Sequence, residues 1–230
     1  MKTKKLVIYG LGETADLAYE YFTYDSIYEV VAFAVDKEYK TENLHLGLPV
    51  IDFELIESIY PKTDIELFVG ASFTKLNRSR MKMYNAAKAK GYTCASYISS
   101  KAFIWHNAEI GENAFVLENN VIQHKVKIGN NVILWSGNHI GHQTIIEDNV
   151  TLSSHCVISG FCTIGANSFL GVNCTFNDKI KLGKDNFVGS GALIVKNTED
   201  GKLMIGAPAK PSAISTYDFF KIPQLTISVN

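Results

Sequence analysis

From Ile104 to Ile194 every sixth residue is large and apolar, with no insertion to reset the count. The series reads Ile104, Ile110, Val116, Ile122, Ile128, Leu134, Ile140, Ile146, Leu152, Ile158, Ile164, Leu170, Phe176, Leu182, Val188 and Ile194. Such a period matches neither the helical repeat of about 3.6 residues nor simple strand alternation. It fits a parallel β-helix, in which each hexad supplies one short strand and a turn and every coil stacks on the last. Four residues after each apolar position the side chain is mostly small or β-branched, as at Ala108, Val132, Thr144, Cys156, Ser168 and Ala192. That is a second, tighter inward position. Gly recurs one residue after the apolar position (Gly111, Gly129, Gly141, Gly165) and Asn three after it (Asn113, Asn131, Asn149, Asn167). Both residue types tolerate positive φ, so each hexad carries its own corner.

Residues 1–98 follow a different rule. Leu6-Val7-Ile8-Tyr9 reads as a buried strand, Asp16 to Phe22 as a helix, and Val30 to Val35 as a second strand ending at Asp36. Ile65 to Gly70 reads as a third strand, Arg80 to Lys90 as a helix stopped by Gly91, and Tyr92 to Ile98 as a fourth strand. Strands alternating with helices predict a small parallel sheet, about half of a dinucleotide-binding fold. The expected organisation is therefore mixed. A Rossmann-like α/β half-domain occupies residues 1–98, a parallel β-helix residues 99–211, and a tail residues 212–230.

Composition narrows the functional classes. Apolar content of 47%, charge of 20% and a net charge of −1 give no electrostatic case for nucleic acid or an anionic membrane surface. No apolar run is long enough for a membrane span and no cleavable leader is evident, so a cytoplasmic location is the default expectation. Cys156, Cys162 and Cys174 fall at the small inward position and read as packed thiols. His106, His124 and His142 share one hexad position, three hexads apart. Stacked rungs stand about 4.8 Å apart, too far for one ion to hold such a ladder at a zinc–nitrogen distance of about 2 Å. The closest pair, His139 and His142, is three apart, which is not the spacing of a β-helical carbonic anhydrase site. No metal is expected.

The hexads resemble those of the hexapeptide-repeat acyltransferases, whose β-helix is left-handed with three hexads to a triangular coil. With the α/β region ahead of it, the chain is similar to bacterial sugar acetyltransferases, both the N-acetyltransferases of nucleotide-linked 4-amino-sugars and the O-acetyltransferases of sialic acid. That resemblance implies a homotrimer, with acetyl-CoA lying in a groove between adjacent β-helices. It implies a histidine base in a segment like Gly141-His142-Gln143-Thr144-Ile145-Ile146, making His142 the catalytic residue. Neutral imidazole titrates in the range needed to take a proton from an attacking amine or hydroxyl. Many relatives carry Asp or Glu after the histidine; here it is Gln143, leaving Gln143 or Glu147, with Asp148 beside it, as the supporting group. By the same resemblance Thr151, Val172 and Ser190 contact acetyl-CoA, and Gly206-Ala207-Pro208-Ala209-Lys210 is similar to the loop closing over its far end.

In the α/β region Gly10-x-Gly12-x-x-Ala15, between a strand and a helix, is a phosphate-cradling turn. Asp36 ends the second strand, where an acidic residue takes ribose hydroxyls. NAD is the alternative ligand, but half a fold does not hold both halves of a dinucleotide. The resemblance implies a nucleotide-sugar touched by Gly12, Glu13, Thr14 and Asp36, with Arg80 a candidate for a phosphate. The expected activity is acetyl-CoA-dependent N-acetylation of a nucleotide-linked amino-sugar for surface glycan assembly. The alternatives are sugar O-acetylation, a non-catalytic trimer that binds a nucleotide-sugar, and a metal-dependent hydratase.

Overall fold

The structure is a computed structural model that describes residues 2–206, 214–215 and 221. The proposed acetyl-CoA contacts Ala207 and Pro208, and nearly all of the tail, lie outside the described residues.

The α/β region begins with β1 (Lys4–Tyr9), α1 (Glu13–Tyr24) and β2 (Tyr28–Val35). A hairpin of β3 (Leu44–His45) and β4 (Leu48–Asp52) follows, then the short α2 (Ile56–Ile59), β5 (Glu66–Val69) and α3 (Arg78–Ala89). The strand order is β3-β4-β2-β1-β5, parallel except for the β3–β4 hairpin. Ala15, Ala18 and Phe22 recur on one face of α1 and are buried against the sheet, the helical spacing that a single covered stripe requires. The hairpin is an addition to the sequence expectation, and the strand expected over Tyr92 to Ile98 divides in two. Cys94 makes an isolated bridge to Leu67, whereas β6 (Tyr97–Ile98) pairs with Phe115–Val116 as the first rung of the β-helix.

Each hexad then supplies one two-residue rung, and the rungs stack into three parallel sheets. Val121 pairs with His139 and His139 with Val157, so one coil is 18 residues. The second residue of each rung points inward. Ile122, Ile140, Ile158 and Phe176 are buried in one column, and the equivalent columns on the other two faces complete the core. Each such side chain contributes about 1.5–3 kcal/mol by leaving water. The corner asparagines behave as expected. Asn113, Asn131, Asn149 and Asn167 have φ between 52° and 62°. Their side-chain amides form a ladder, Asn113 donating to Asn131 (2.9 Å), Asn131 to Asn149 (2.8 Å) and Asn149 to Asn167 (3.1 Å).

The outward residues make the three faces unlike. One face, carrying Tyr97, Phe115, Ile133, Thr151 and Phe169, is buried beneath the α/β region. Phe115 packs on Tyr21 of α1 and Phe68 of β5, so the two regions share a core. A second face presents Glu109, Lys127 and Lys181 to solvent. The third carries Phe103, Val121, His139, Val157, Thr175 and Leu193; Phe103 is 53%, Val157 42% and Leu193 61% exposed. This third face is largely apolar and, among the described residues, uncovered.

Candidate active site

The turn after β1 is shaped for an anion. Gly10 has φ 142°, and a Cβ there would stand 2.5 Å from the carbonyl oxygen of Gly70. Gly12 is the N-cap of α1, and no side chain caps that helix, so its first N–H groups face an open cavity. That cavity, about 460 Å³, is lined by Gly10 to Thr14, Tyr39, Ser72, Thr74 and Ser79. Three of its residues, Glu13, Thr14 and Ser72, also line an adjoining cavity of about 370 Å³ between the α/β region and the β-helix. The second cavity continues along Phe73, Trp135, Ser153, Ser154 and Val172. Gly12, Glu13 and Thr14 are therefore brought together at the junction. Asp36 lies further out, in a groove that meets the first cavity only at Met83. The Tyr9 hydroxyl donates to its carboxylate, and burial followed by that bond raises the pKa of the phenol.

The proposed acetyl-CoA contacts separate in the same way. Thr151 is on the floor of the interdomain cavity, 1% exposed, with its hydroxyl donating to Asn77 (2.7 Å) and accepting from Arg80 (3.0 Å). Val172 lines the wall of that cavity, and Ser190 is exposed one coil further along the same corner. Arg80 does not reach the phosphate turn. It is fully buried, and Nη2 donates to the carbonyls of Asn131 and Asn149 at 3.2 Å each. Trp135, which sequence reasoning missed, stands at the rim. A visible signal was available, because it is a large exposed aromatic at the hexad position where Gly recurs.

His142 follows the rung His139–Ile140, at the corner between the bare face and the charged face. Its imidazole lies over Gly160 of the next coil, where a Cβ would be 2.6 Å from Cε1 and 2.9 Å from Nε2. The Phe161 ring meets it edge-on at 4.9 Å. Gln123 Oε1 accepts the backbone N–H of His142 at 3.0 Å, and neither ring nitrogen has a hydrogen-bond partner among the described residues. Gln143 is exposed at φ 58°. Glu147 belongs to the following corner, where it accepts the Ala166 N–H at 2.9 Å, and Asp148 beside it accepts the Asn130 N–H at 2.7 Å. Neither carboxylate hydrogen-bonds to His142. The described residues contain no group of three or more His, Cys, Asp or Glu side chains arranged to hold a metal ion.

The bacterial transferase hexapeptide (six repeats) family matches residues 107–141 and 125–160. Among solved structures, the acetyltransferase domain of PglB from Neisseria gonorrhoeae is 25% identical, with TM-score 0.80 over 91% of this chain and 100% of that one. PerB from Caulobacter crescentus, solved with CoA and GDP-perosamine, is 25% identical, with TM-score 0.77 over 90% of this chain and 96% of that one. WeeI from Acinetobacter baumannii shares the fold, at 20% identity and TM-score 0.74 over 90% and 99%. No curated protein sequence matches the chain. Its hexads carry that family's repeat over residues 107–160, and the α/β region followed by a stacked β-helix is the architecture of these left-handed β-helix sugar acetyltransferases. Within that class it is an acetyltransferase.

Proposed function

We propose that the protein transfers an acetyl group from acetyl-CoA to the amino group of a nucleotide-linked amino-sugar, in the cytoplasm and as a homotrimer, to supply glycan assembly. The observation that carries this reading is the imidazole of His142, whose ring nitrogens have no hydrogen-bond partner among the described residues, at one edge of the apolar face. Trp135 stands at the other edge of that face, on the same coil, beside the interdomain cavity. One chain cannot bring its own His142 to its own cavity across that face. Three copies with their bare faces around a three-fold axis would set each His142 beside the Trp135 corner of the next copy.

The nucleotide phosphates would rest on the Gly10 to Thr14 turn, and the sugar would pass Glu13 and Ser72 into the interdomain cavity. PerB, solved with CoA and GDP-perosamine, supports this assignment of donor and acceptor. His142 takes the proton from the acceptor amine as its nitrogen attacks the acetyl carbonyl, and the imidazolium returns a proton to the departing thiolate. A backbone N–H of a neighbouring coil receives the developing oxyanion. Among the described residues no helix is long and apolar enough to cross a membrane, in keeping with substrates drawn from solution.

The test is thiol release from acetyl-CoA against a panel of UDP- and GDP-linked amino-sugars and free sialic acid, with wild type and His142→Ala. Release with a nucleotide-linked amino-sugar should fall about 10²–10⁴-fold in the variant. Release with sialic acid alone would move the assignment to O-transfer, and an unimpaired His142→Ala would remove the base.

A further inference from the structure

We infer that Gly160 and Phe161, one coil beyond His142, are positioning residues that orient its imidazole in place of a carboxylate. The inference rests on the reading of His142 as the base. A general base must hold its ring within a narrow range of angles, and misplacement by about 1 Å can cost about 10²-fold in rate. A hydrogen bond donated by the second ring nitrogen to a carboxylate is one way of achieving this. Among the described residues it is absent, since Gln143 is exposed and Glu147 and Asp148 are committed at another corner.

Two contacts take its place. The first is a floor. Most corner glycines of the β-helix are needed because backbone passes close by; a Cβ on Gly141 would meet the Ser159 carbonyl carbon at 2.5 Å, and one on Gly165 the Gly183 carbonyl carbon at 2.5 Å. Gly160 differs, as Gly137 does against His155: the three atoms nearest its missing Cβ all belong to the His142 ring, at 2.6, 2.9 and 3.1 Å. The space left by the absent side chain is occupied by the imidazole itself. Asp178, a coil further on, fixes this floor by accepting the Gly160 N–H at 2.9 Å.

The second contact is a wall. Phe161 stands at 80° to the imidazole and 4.9 Å from it, an edge-to-face arrangement that stops the ring rotating towards the charged face. Phe161 has φ 60°. Asn fills the equivalent position at many corners because it accepts the left-handed region, whereas a bulky side chain there is strained. Strain of this kind is retained where the side chain has work to do. Half-exposed Phe161 makes no contribution to the core cluster, so its contact with His142 is the evident reason for an aromatic at this corner.

The experiment compares wild type, Gly160→Ala, Phe161→Asn, His142→Ala and the double variant Gly160→Ala/His142→Ala, by steady-state kinetics and thermal melting. Each positioning variant should lower kcat about tenfold or more while both KM values stay within about twofold. Phe161→Asn should melt no earlier than wild type, because strain is released, and yet be slower. On the His142→Ala background, Gly160→Ala should produce no further loss, since its only effect passes through the ring. A wild-type kcat in both positioning variants, or losses that multiply on the His142→Ala background, would overturn the inference. A His142→Ala protein with full activity would instead overturn the base assignment on which it rests.

Discussion

Arg80 of α3 donates through Nη2 to the Thr151 hydroxyl at 3.0 Å, and so joins the α/β region to the β-helix with a fully buried charge. Among the described residues no carboxylate pairs with it. Its other partners are main-chain carbonyls of Asn131, Asn149, Val150 and Ser72, and Nε has none. Burial pushes the guanidinium down to about 9, so it remains charged at neutral pH. A fan of carbonyls offsets the loss of water only while the planar group keeps its geometry. Arg80→Ala should therefore lower stability by about 3 kcal/mol, measured by urea unfolding, because several buried acceptors lose a shared donor. A change below about 0.5 kcal/mol would show that the shared aromatic core alone holds the two regions together.

Gly141→Ala should be damaging, because Gly141 is a buried corner residue with backbone packed against it. The added carbon would press on the backbone of Ser159 and Gly160, at 2.5 and 2.6 Å, and neither can move without opening the rung between Ile140 and Ile158. The expected cost is about 3 kcal/mol, read as a lower thermal midpoint. Equal melting of Gly141→Ala and Gly160→Ala would contradict the distinction between a glycine facing backbone and one facing a movable ring.

Val157→Glu places a charge on the bare face without touching the core, since the side chain points outward and Ile158 points inward. Sedimentation velocity should show a trimer for wild type and monomers for this variant, if the proposed assembly uses this face. Acetyl transfer should fall with assembly, because His142 would no longer have a neighbouring cavity to face. A trimeric, active Val157→Glu protein would place the interface elsewhere.

His45, in the β3–β4 hairpin, contacts Asp16 through Nε2 and Glu42 through Nδ1, each at 2.6 Å. Burial alone would lower its pKa, but the two carboxylates outweigh it and the net shift is upward from 6.5. A raised folded-state pKa means that the clamp contributes fully below the unfolded value of about 6.5 and is lost as pH rises through the folded value. Both carboxylates are partly exposed, so the effect should be below about 1 kcal/mol. Chemical denaturation across that window should show the decline in wild type and a flatter curve in His45→Gln.

The β-helix was legible because its signal is redundant. A two-residue rung carries little information alone, but the unbroken series from Ile104 to Ile194 admits one period, and the asparagines independently mark the positive-φ corners. The β3–β4 hairpin was not legible, because Leu48-Pro49-Val50-Ile51 is short and contains a proline that reads as a break. Tyr97–Ile98 reads with the α/β region in sequence, since a buried strand has the same composition on either side of the join, yet it pairs with the β-helix. Arg80 could be placed on a helix but not buried, because its acceptors are main-chain carbonyls that leave no trace in side-chain identity. The interdomain cavity depends on how two separately patterned regions dock, and no single stretch encodes it.

The pairing of Val121 with His139 and of His139 with Val157 fixes the coil at 18 residues, and this makes the length of the chain a quantised variable. A duplicated or deleted segment of one full coil leaves every later residue on its own face and merely lengthens or shortens the column. A segment of one hexad turns all that follows by a third of a revolution. If such a segment were inserted before His139, the bare face would be split between two sides of the prism and His142 would be carried to a different corner. Viable descendants of this sequence should therefore differ in length within the β-helix by whole coils, with hexad-sized changes confined to the stretch beyond the last rung that the site requires.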